Sequence, residues 1–262
     1  MKIILSRKGF DSANGGCPSP ILPDGTLLSL PVPSNDKQTY SDLAYRGLSY
    51  DKLLKQLNPK GNYSTCHCDP DIRRDVHIDS APLWEPLFGQ GGSAQGLLSN
   101  LGIATGDLFL FFGWFKQVYQ TVDGGLRYIP GAPDVHAIWG YLQVDKIITQ
   151  VDEKRNYAWH PHANVNRPDG TNNTIYSARK TLSFDDSKLG SGTLKLSENR
   201  VLTLNGASKA IWKEIPALMP SNLIKERKNS AKGKGIFYGG IWQELVLKEN
   251  STSEEWAKTI LA

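Results

Sequence analysis

Cysteine is scarce in this chain of 262 residues, with three in all and two of them in Cys66-His67-Cys68. Three thiols cannot build a disulfide framework, so a reduced, cytoplasmic protein is expected. Long apolar runs are missing too. The longest, Leu108 to Phe115, falls far short of the ~20 residues that a bilayer span requires. The stretch Met1 to Phe10 is too briefly apolar for a signal peptide, and no membrane contact is expected. Familiar catalytic signatures are absent as well. The chain carries no G-x-x-x-x-G-K-[ST] and no G-x-G-x-x-G. Nor does it carry G-x-S-x-G, H-E-x-x-H, the kinase set, or the H-x-E with P-C-x-x-C of deaminases.

What remains is globular in character. With 39% hydrophobic and 21% charged residues, 25 Gly and 15 Pro, a coiled coil, a collagen and a wholly disordered chain are excluded. A chain this long buries about 70% of its unfolded surface. No repeat and no clean linker interrupts it, so one domain over 1–262 with long loops is expected. The net charge of +4 and pI near 8.8 are only mildly basic. One segment is richer: Lys209, Lys213, Lys225, Arg227, Lys228, Lys232 and Lys234 stand against Glu214 and Glu226. This is either a solvated loop or a phosphate-contacting one.

Hydrophobic patterning predicts strands at Lys2 to Ser6, Leu27 to Leu30 and Leu108 to Phe115, and at Val135 to Val144. Weaker candidates are Asn173 to Tyr176, Leu194 to Leu196, Arg200 to Leu204 and Glu244 to Leu247. Short helices are expected after Ser49 or Asp51, after Ser93 with Gly102 as the stop, and from Thr252 to Leu261 capped by Ser251. The fold class is α+β: a mostly antiparallel twisted sheet or a small barrel, with flanking short helices and long loops.

Four groups of residues could carry chemistry. The loop after the first strand crowds Arg7, Lys8, Asp11 and Asn14 beside Gly9, Gly15 and Gly16. Two cations and flexible backbone suit a phosphate, and Asp11 could orient a sugar or base. The segment Cys66-His67-Cys68-Asp69-Pro70-Asp71 mixes imidazole, thiols and carboxylates. A metal there would have to recruit His160, His162 or a distant carboxylate. Acid–base work by His67 with Asp69 and Asp71, base-edge hydrogen bonding, or a capped turn are the other readings. In Trp159-His160-Pro161-His162 the two imidazoles would point apart in a regular strand, but a loop around Pro161 could converge them. Lastly, the aromatic strands project Phe112 and Trp114 to one face and Phe111 and Phe115 to the other. Most of these rings belong to the core, yet one such as Trp114 could stack on a base, worth about 1–3 kcal/mol. Gln90, Gln95 and Gln143 are the amides best placed to read a base edge. His136, in a strand, is expected to be a satisfied sheet-face histidine.

Several of these segments together resemble the third of the nucleotide-modification-associated domain families of bacteria and phages. The resemblance is carried by Ile4 to Ser12, Pro18 to Gly25, Cys66 to Asp71, and Phe88-Gly89-Gln90 with Ala94-Gln95. It continues through Gly106 to Phe115, His136 to Val144, His160-Pro161-His162 and the terminal helix, in that order. It implies a setting in which hypermodified DNA bases are made or handled, and it implicates Arg7, Lys8, Asp11, His67, Asp69, Asp71, Gln90 and Gln95. Cys68 stands where the family pattern has an ordinary apolar residue. Gly106-Asp107 and Gly140 to Val144 are also similar to the core of PUA-like barrels, which bind RNA or flip out modified bases, although fold alone does not give function.

The expected function is therefore an enzyme or accessory factor acting on a nucleobase or nucleotide, free or in DNA, with its donor or cofactor left open and other base-modification enzymes as partners. In that reading Arg7 and Lys8, with Asn14, hold the substrate. Asp11, His67, Asp69 and Asp71 carry catalysis, and Gln90, Gln95, Trp114, Gln143, His160 and His162 seat the base. The alternatives are a non-catalytic PUA-like reader of a flipped base, and a nuclease using Asp11, Asp69 and Asp71 on magnesium.

Overall fold

The computed structural model describes residues 1–79, 83–164, 172–224, 236–238 and 243–262. Its centre is a large, mostly antiparallel sheet of nine strands. They are β1 (Ile3–Arg7), β2 (Ser19–Ile21), β3 (Leu87–Gly91), β4 (Leu108–Gln120), β5 (Leu126–Tyr128), β6 (Val135–Ile148), β7 (Asn173–Ala178), β8 (Ser191–Thr193) and β9 (Glu244–Val246). The main path runs β9-β1-β4-β6-β7-β3. Among these pairings only β1 and β2 lie parallel to their partner, β4.

The two long aromatic strands form the axis of this sheet. β4 pairs with β1 along Leu108–Phe112 and with β2 from Phe115 onward. The loop from Lys8 to Pro18 leaves the sheet between those two short strands. It is held at its root by the Lys8 N–H, which donates to Phe112 O at 2.8 Å. Gly113 makes room here, because a Cβ at that position would come within 2.6 Å of Lys8 O.

Side chains alternate across the strands. Ile3, Leu5, Leu108, Leu110, Phe112, Ile138 and Leu245 face one core, which the helix Ser251–Leu261 covers with Ala257, Ile260 and Leu261. Ile4, Phe88, Phe109, Phe111, Leu142, Val144, Tyr176 and Val246 face the other. This second set draws on every strand of the main path, so the sheet curls around it. Gln90 on one edge strand even reaches Glu244 on the opposite edge, Nε2 donating to Oε1 at 2.5 Å. No backbone pairing joins β3 to β9, however, and the sheet stays open. The closed barrel entertained from sequence is not formed.

The four helices among the described residues are short: Tyr50–Leu57, Gly92–Asn100, Val151–Lys154 and Ser251–Leu261. The first follows Ser49, as expected. The second begins after Gly91 rather than Ser93, and Gly102 follows its end at φ +62°. The last is capped by Asn250, whose side chain accepts from the Ser253 N–H, rather than by Ser251. Leu27 to Leu30 is buried but irregular, touching the sheet through an isolated bridge at Leu27. Leu194 to Leu196 and Arg200 to Leu204 likewise make isolated bridges, one and two respectively, instead of strands. All three cysteines are free and buried. Among the described residues no helix is long and apolar enough to cross a membrane.

Candidate functional site

The curl of the sheet determines where the polar residues meet. Ser6 lies two residues beyond Ile4, Gln90 two beyond Phe88, and Glu244 two before Val246. All three therefore face inward, above the aromatic layer. Glu244 Oε1 accepts from Ser6 Oγ at 2.9 Å and from Gln90 Nε2, while its Oε2 is buried with no hydrogen-bond partner among the described residues. Burial pushes the Glu244 carboxyl above its ordinary pKa, and nearby Lys8 opposes that rise. Lys8, two residues past Ser6, places its ammonium 4.4 Å from the Phe88 ring centroid and 3.5 Å from Asp69 Oδ2.

A cleft of about 290 Å³ opens above this layer, lined by Arg7, Lys8, Gly9, Asp11, Asn14, Val32, His67, Asp69, Gln90, Gly91, His162 and Gln243. Eight of the residues singled out in the sequence are in that lining. They come from β1 and its following loop, from the Cys66–His67 strand with Asp69 just beyond it, from β3, and from the turn Pro161–Ala163.

Alternation explains the Cys66–Asp71 segment. Cys66 pairs with Pro33 and turns into a core with Phe10, Tyr40 and Leu54, as does Cys68. His67 and Asp69 turn the other way, to the cleft. Burial pushes the Cys66 thiol up to about 12 and the Cys68 thiol well above its ordinary value, so both are neutral core groups. Asp71 leaves the cleft. Its carboxylate receives His77 Nε2 at 2.8 Å and Trp84 Nε1 at 3.0 Å. Cys68, Asp71 and His77 thus form a second cluster of possible metal ligands, with a thiol that resists ionisation.

Asp69 is the best-held carboxylate of the cleft. Its Oδ1 accepts the Gly89 N–H at 2.5 Å and lies 3.4 Å from His160 Nε2. Burial works against its charge, but Lys8, His160 and His162 outweigh it and hold the carboxyl far below the usual range. His160 itself is buried behind the cleft, and its Nδ1 accepts the His162 N–H at 3.2 Å. The loop around Pro161 does converge the two imidazoles on Asp69.

His67 and His162 meet edge on, Nε2 to Nε2, at 3.1 Å, with their ring planes 63° apart. Each is oriented from behind. Asp36 Oδ2 lies 2.7 Å from His67 Nδ1, and Asn173 Oδ1 lies 2.6 Å from His162 Nδ1. Asn173 Nδ2 also donates to His162 O at 2.8 Å, which fixes which end of its amide faces the ring. His67, Asp69 and His162 offer donor atoms that all lie within 4.8 Å of one another.

At the cleft mouth Asp11 is tied into its own turn. Its Oδ1 accepts the N–H groups of Ala13 and Asn14 at 2.8 and 2.6 Å, and Arg7 stands 3.5 Å from Oδ2. The remaining predicted residues lie elsewhere. Gln95 is buried between Tyr176 and Ser99. Gln143 is saturated by Gly106 O, Met1 Sδ and Ser183, inside the sheet. Trp114 donates to Asp134 at 2.7 Å and carries Lys209 3.9 Å from its ring centroid. His136 accepts from Trp212 in the core. In the basic segment, Lys213 donates to Glu198 O, while Lys225, Glu226, Arg227, Lys228, Lys232 and Lys234 lie outside the described residues.

Sequence reasoning missed Asp36, Asn173, Glu244 and Gln243. A carboxylate inside the apolar run Glu244 to Leu247 was a usable signal for Glu244. Asp36, in a polar loop, gave none.

The fold is an open, curled α/β sheet that carries a polar cleft lined by two cations, two carboxylates and two histidines. The family model described as nucleotide modification associated domain 3 matches residues 2–254, and the chain belongs to that family. No curated protein and no solved structure matches it.

Proposed function

We propose that the chain, acting as one domain, is an enzyme that modifies a nucleotide or a nucleobase of DNA, with the cleft as its reaction centre. One observation carries this reading: Arg7, Lys8, Asp11, Asn14, His67, Asp69, Gln90 and His162 line one cleft although they come from separate stretches of the chain. Membership of a nucleotide-modification family supplies the substrate class. Arg7, nearer the mouth, and Lys8, beside Asp69, offer positive charge and charge-assisted hydrogen bonds to a phosphate. Asn14 and Gln90 offer amides that both donate and accept towards a sugar or base edge. His67, Asp69 and His162, deeper in, polarise the reacting group or move its proton. The finer setting, hypermodification of DNA in bacteria or phages alongside other modifying enzymes, is part of this proposal.

The two alternative readings have less support. A PUA-like reader that holds a flipped base in an aromatic cage needs rings around its ligand, and the described lining of the cleft contains no Phe, Tyr or Trp. A nuclease built on Asp11, Asp69 and Asp71 needs those carboxylates at one place, and Asp71 lies outside the cleft.

Thermal shift is the test, run with deoxynucleotides, nucleoside diphosphate sugars, S-adenosylmethionine and short single- and double-stranded DNA. A ligand at 100 times its Kd adds about 2.7 kcal/mol of stability. The expected result is a shift with a small nucleotide that is lost in both Lys8→Ala and His67→Ala. A shift with DNA alone, strongly salt-dependent and indifferent to His67→Ala, would overturn the enzyme reading in favour of a binding module.

A further inference from the structure

The contact between His67 and His162 poses a chemical problem. An ionised carboxylate only accepts, so the Asp36 contact places a proton on His67 Nδ1. The carbonyl end of Asn173 does the same for His162 Nδ1. In the neutral state both Nε2 atoms then bear lone pairs, and those lone pairs face each other at 3.1 Å. A proton or a metal ion between the two nitrogens would turn that opposition into attraction. Either one imidazole is protonated and the pair shares a proton, or the two nitrogens share a cation.

A separation of 3.1 Å suits a shared proton, and it suits a shared metal ion equally. A metal bonded to two imidazoles at about 2.0–2.1 Å, with roughly 90–110° between the bonds, holds the nitrogens about 2.9–3.4 Å apart. The observed separation falls within that window. Asp69 supplies a third donor, its Oδ2 standing 4.0 Å from His67 Nε2. The outer contacts are also those of a metal centre, since ligand histidines are characteristically oriented by a carboxylate or carbonyl on the other ring nitrogen. Gly89 belongs to the same construction. Any Cβ there would come within 2.2 Å of the His162 ring, so only glycine lets the imidazole lie against β3.

We propose that His67, His162 and Asp69 bind one divalent transition-metal ion, with the open coordination positions facing the cleft. Two imidazoles and one carboxylate suit zinc or ferrous iron, whereas magnesium and calcium prefer oxygen ligands. Three protein ligands with open positions are a catalytic rather than a purely structural arrangement. The catalytic role rests on the proposed function, but metal binding itself requires no nucleotide.

The test uses the full chain, stripped of metal by a chelator and titrated with zinc by calorimetry and with cobalt(II) by visible absorption, both without nucleotide. The expected result is one equivalent bound, with a cobalt ligand-field band. His67→Gln and His162→Gln should each weaken binding by about 100-fold, and Asp36→Asn by about 10–100-fold. His77→Ala, in the second cluster, should leave it unchanged. Circular dichroism and thermal melts establish that each variant is folded. Three results would each overturn the proposal: no saturable binding by the wild type up to about 1 mM metal, binding that survives in the His67→Gln/His162→Gln double variant, or loss of binding in His77→Ala. A protein that binds metal but no nucleotide would refute only the proposed substrate. One that binds nucleotide without metal would refute only the metal centre.

Discussion

Individual residues in this protein behave according to what surrounds them more than according to their type. Three of its five histidines gather around Asp69, while His136 sits among Phe112, Trp212 and Tyr238 as a neutral core group. Burial, helped by the positive charges of Lys209 and Arg7, lowers its pKa to about 3. The unfolded chain titrates this group near its ordinary value of 6.5. Its contribution to stability is therefore complete above that pH and is lost as pH falls towards 3. The slope is about 1.4 kcal/mol for each pH unit below 6.5. Denaturant titrations between pH 7 and pH 4 should show this loss, and His136→Gln should flatten it. An equal slope in the variant would show that other groups govern acid unfolding.

At the scale of elements, the site depends on where strands stop and which way their side chains point. β3 makes three contributions in three residues. Gly89 gives a backbone N–H to Asp69 and bare surface to His162, Gln90 turns inward to Glu244, and Gly91 lines the cleft. Gly89→Ala should leave the strand paired, since an alanine fits its backbone, but drive the His162 ring away. The expected outcome is a folded protein, less stable by about 1–3 kcal/mol from overpacking, in which the nuclear magnetic resonance signals of His67 and His162 both move. Unchanged imidazole signals in a folded Gly89→Ala would mean that the ring does not rest on β3.

For the molecule as a whole, the two long strands should be the last parts to open. β4 and β6 run 13 and 14 residues, and each is paired on both sides over part of its length. Hydrogen exchange should show the highest protection in Phe109–Phe112 and Ala137–Leu142, near the global unfolding free energy. The loop from Asp11 to Gly16, held by its own turn and by side-chain bonds from Tyr63 and Lys209, should exchange by smaller openings. Uniform protection across both regions would show instead that the cleft rim unfolds only with the core.

Much of this was legible in the chain itself. The alternation of Leu108 to Phe115 assigns its rings to two faces, as found, because the strand period of two is local geometry. The crowding of Arg7, Lys8, Asp11 and Asn14, and the mixed chemistry of Cys66 to Asp71, likewise marked segments that reach the cleft. Other residues named with them lie away from the cleft for a common reason. Gln95, Gln143 and Trp114 are polar or aromatic groups beside marked motifs, but each finds partners within the fold that sequence proximity does not reveal. Local order thus determined the strands, the polar loops and the choice between inward and outward faces. Only the curl of the sheet decided that Gln90 meets Glu244 across 154 residues of chain, and that His67 meets His162 across 95. The physical reason is that the curl buries one continuous apolar layer shared by six strands. Where that layer ends, side chains from both edges must satisfy one another's charge.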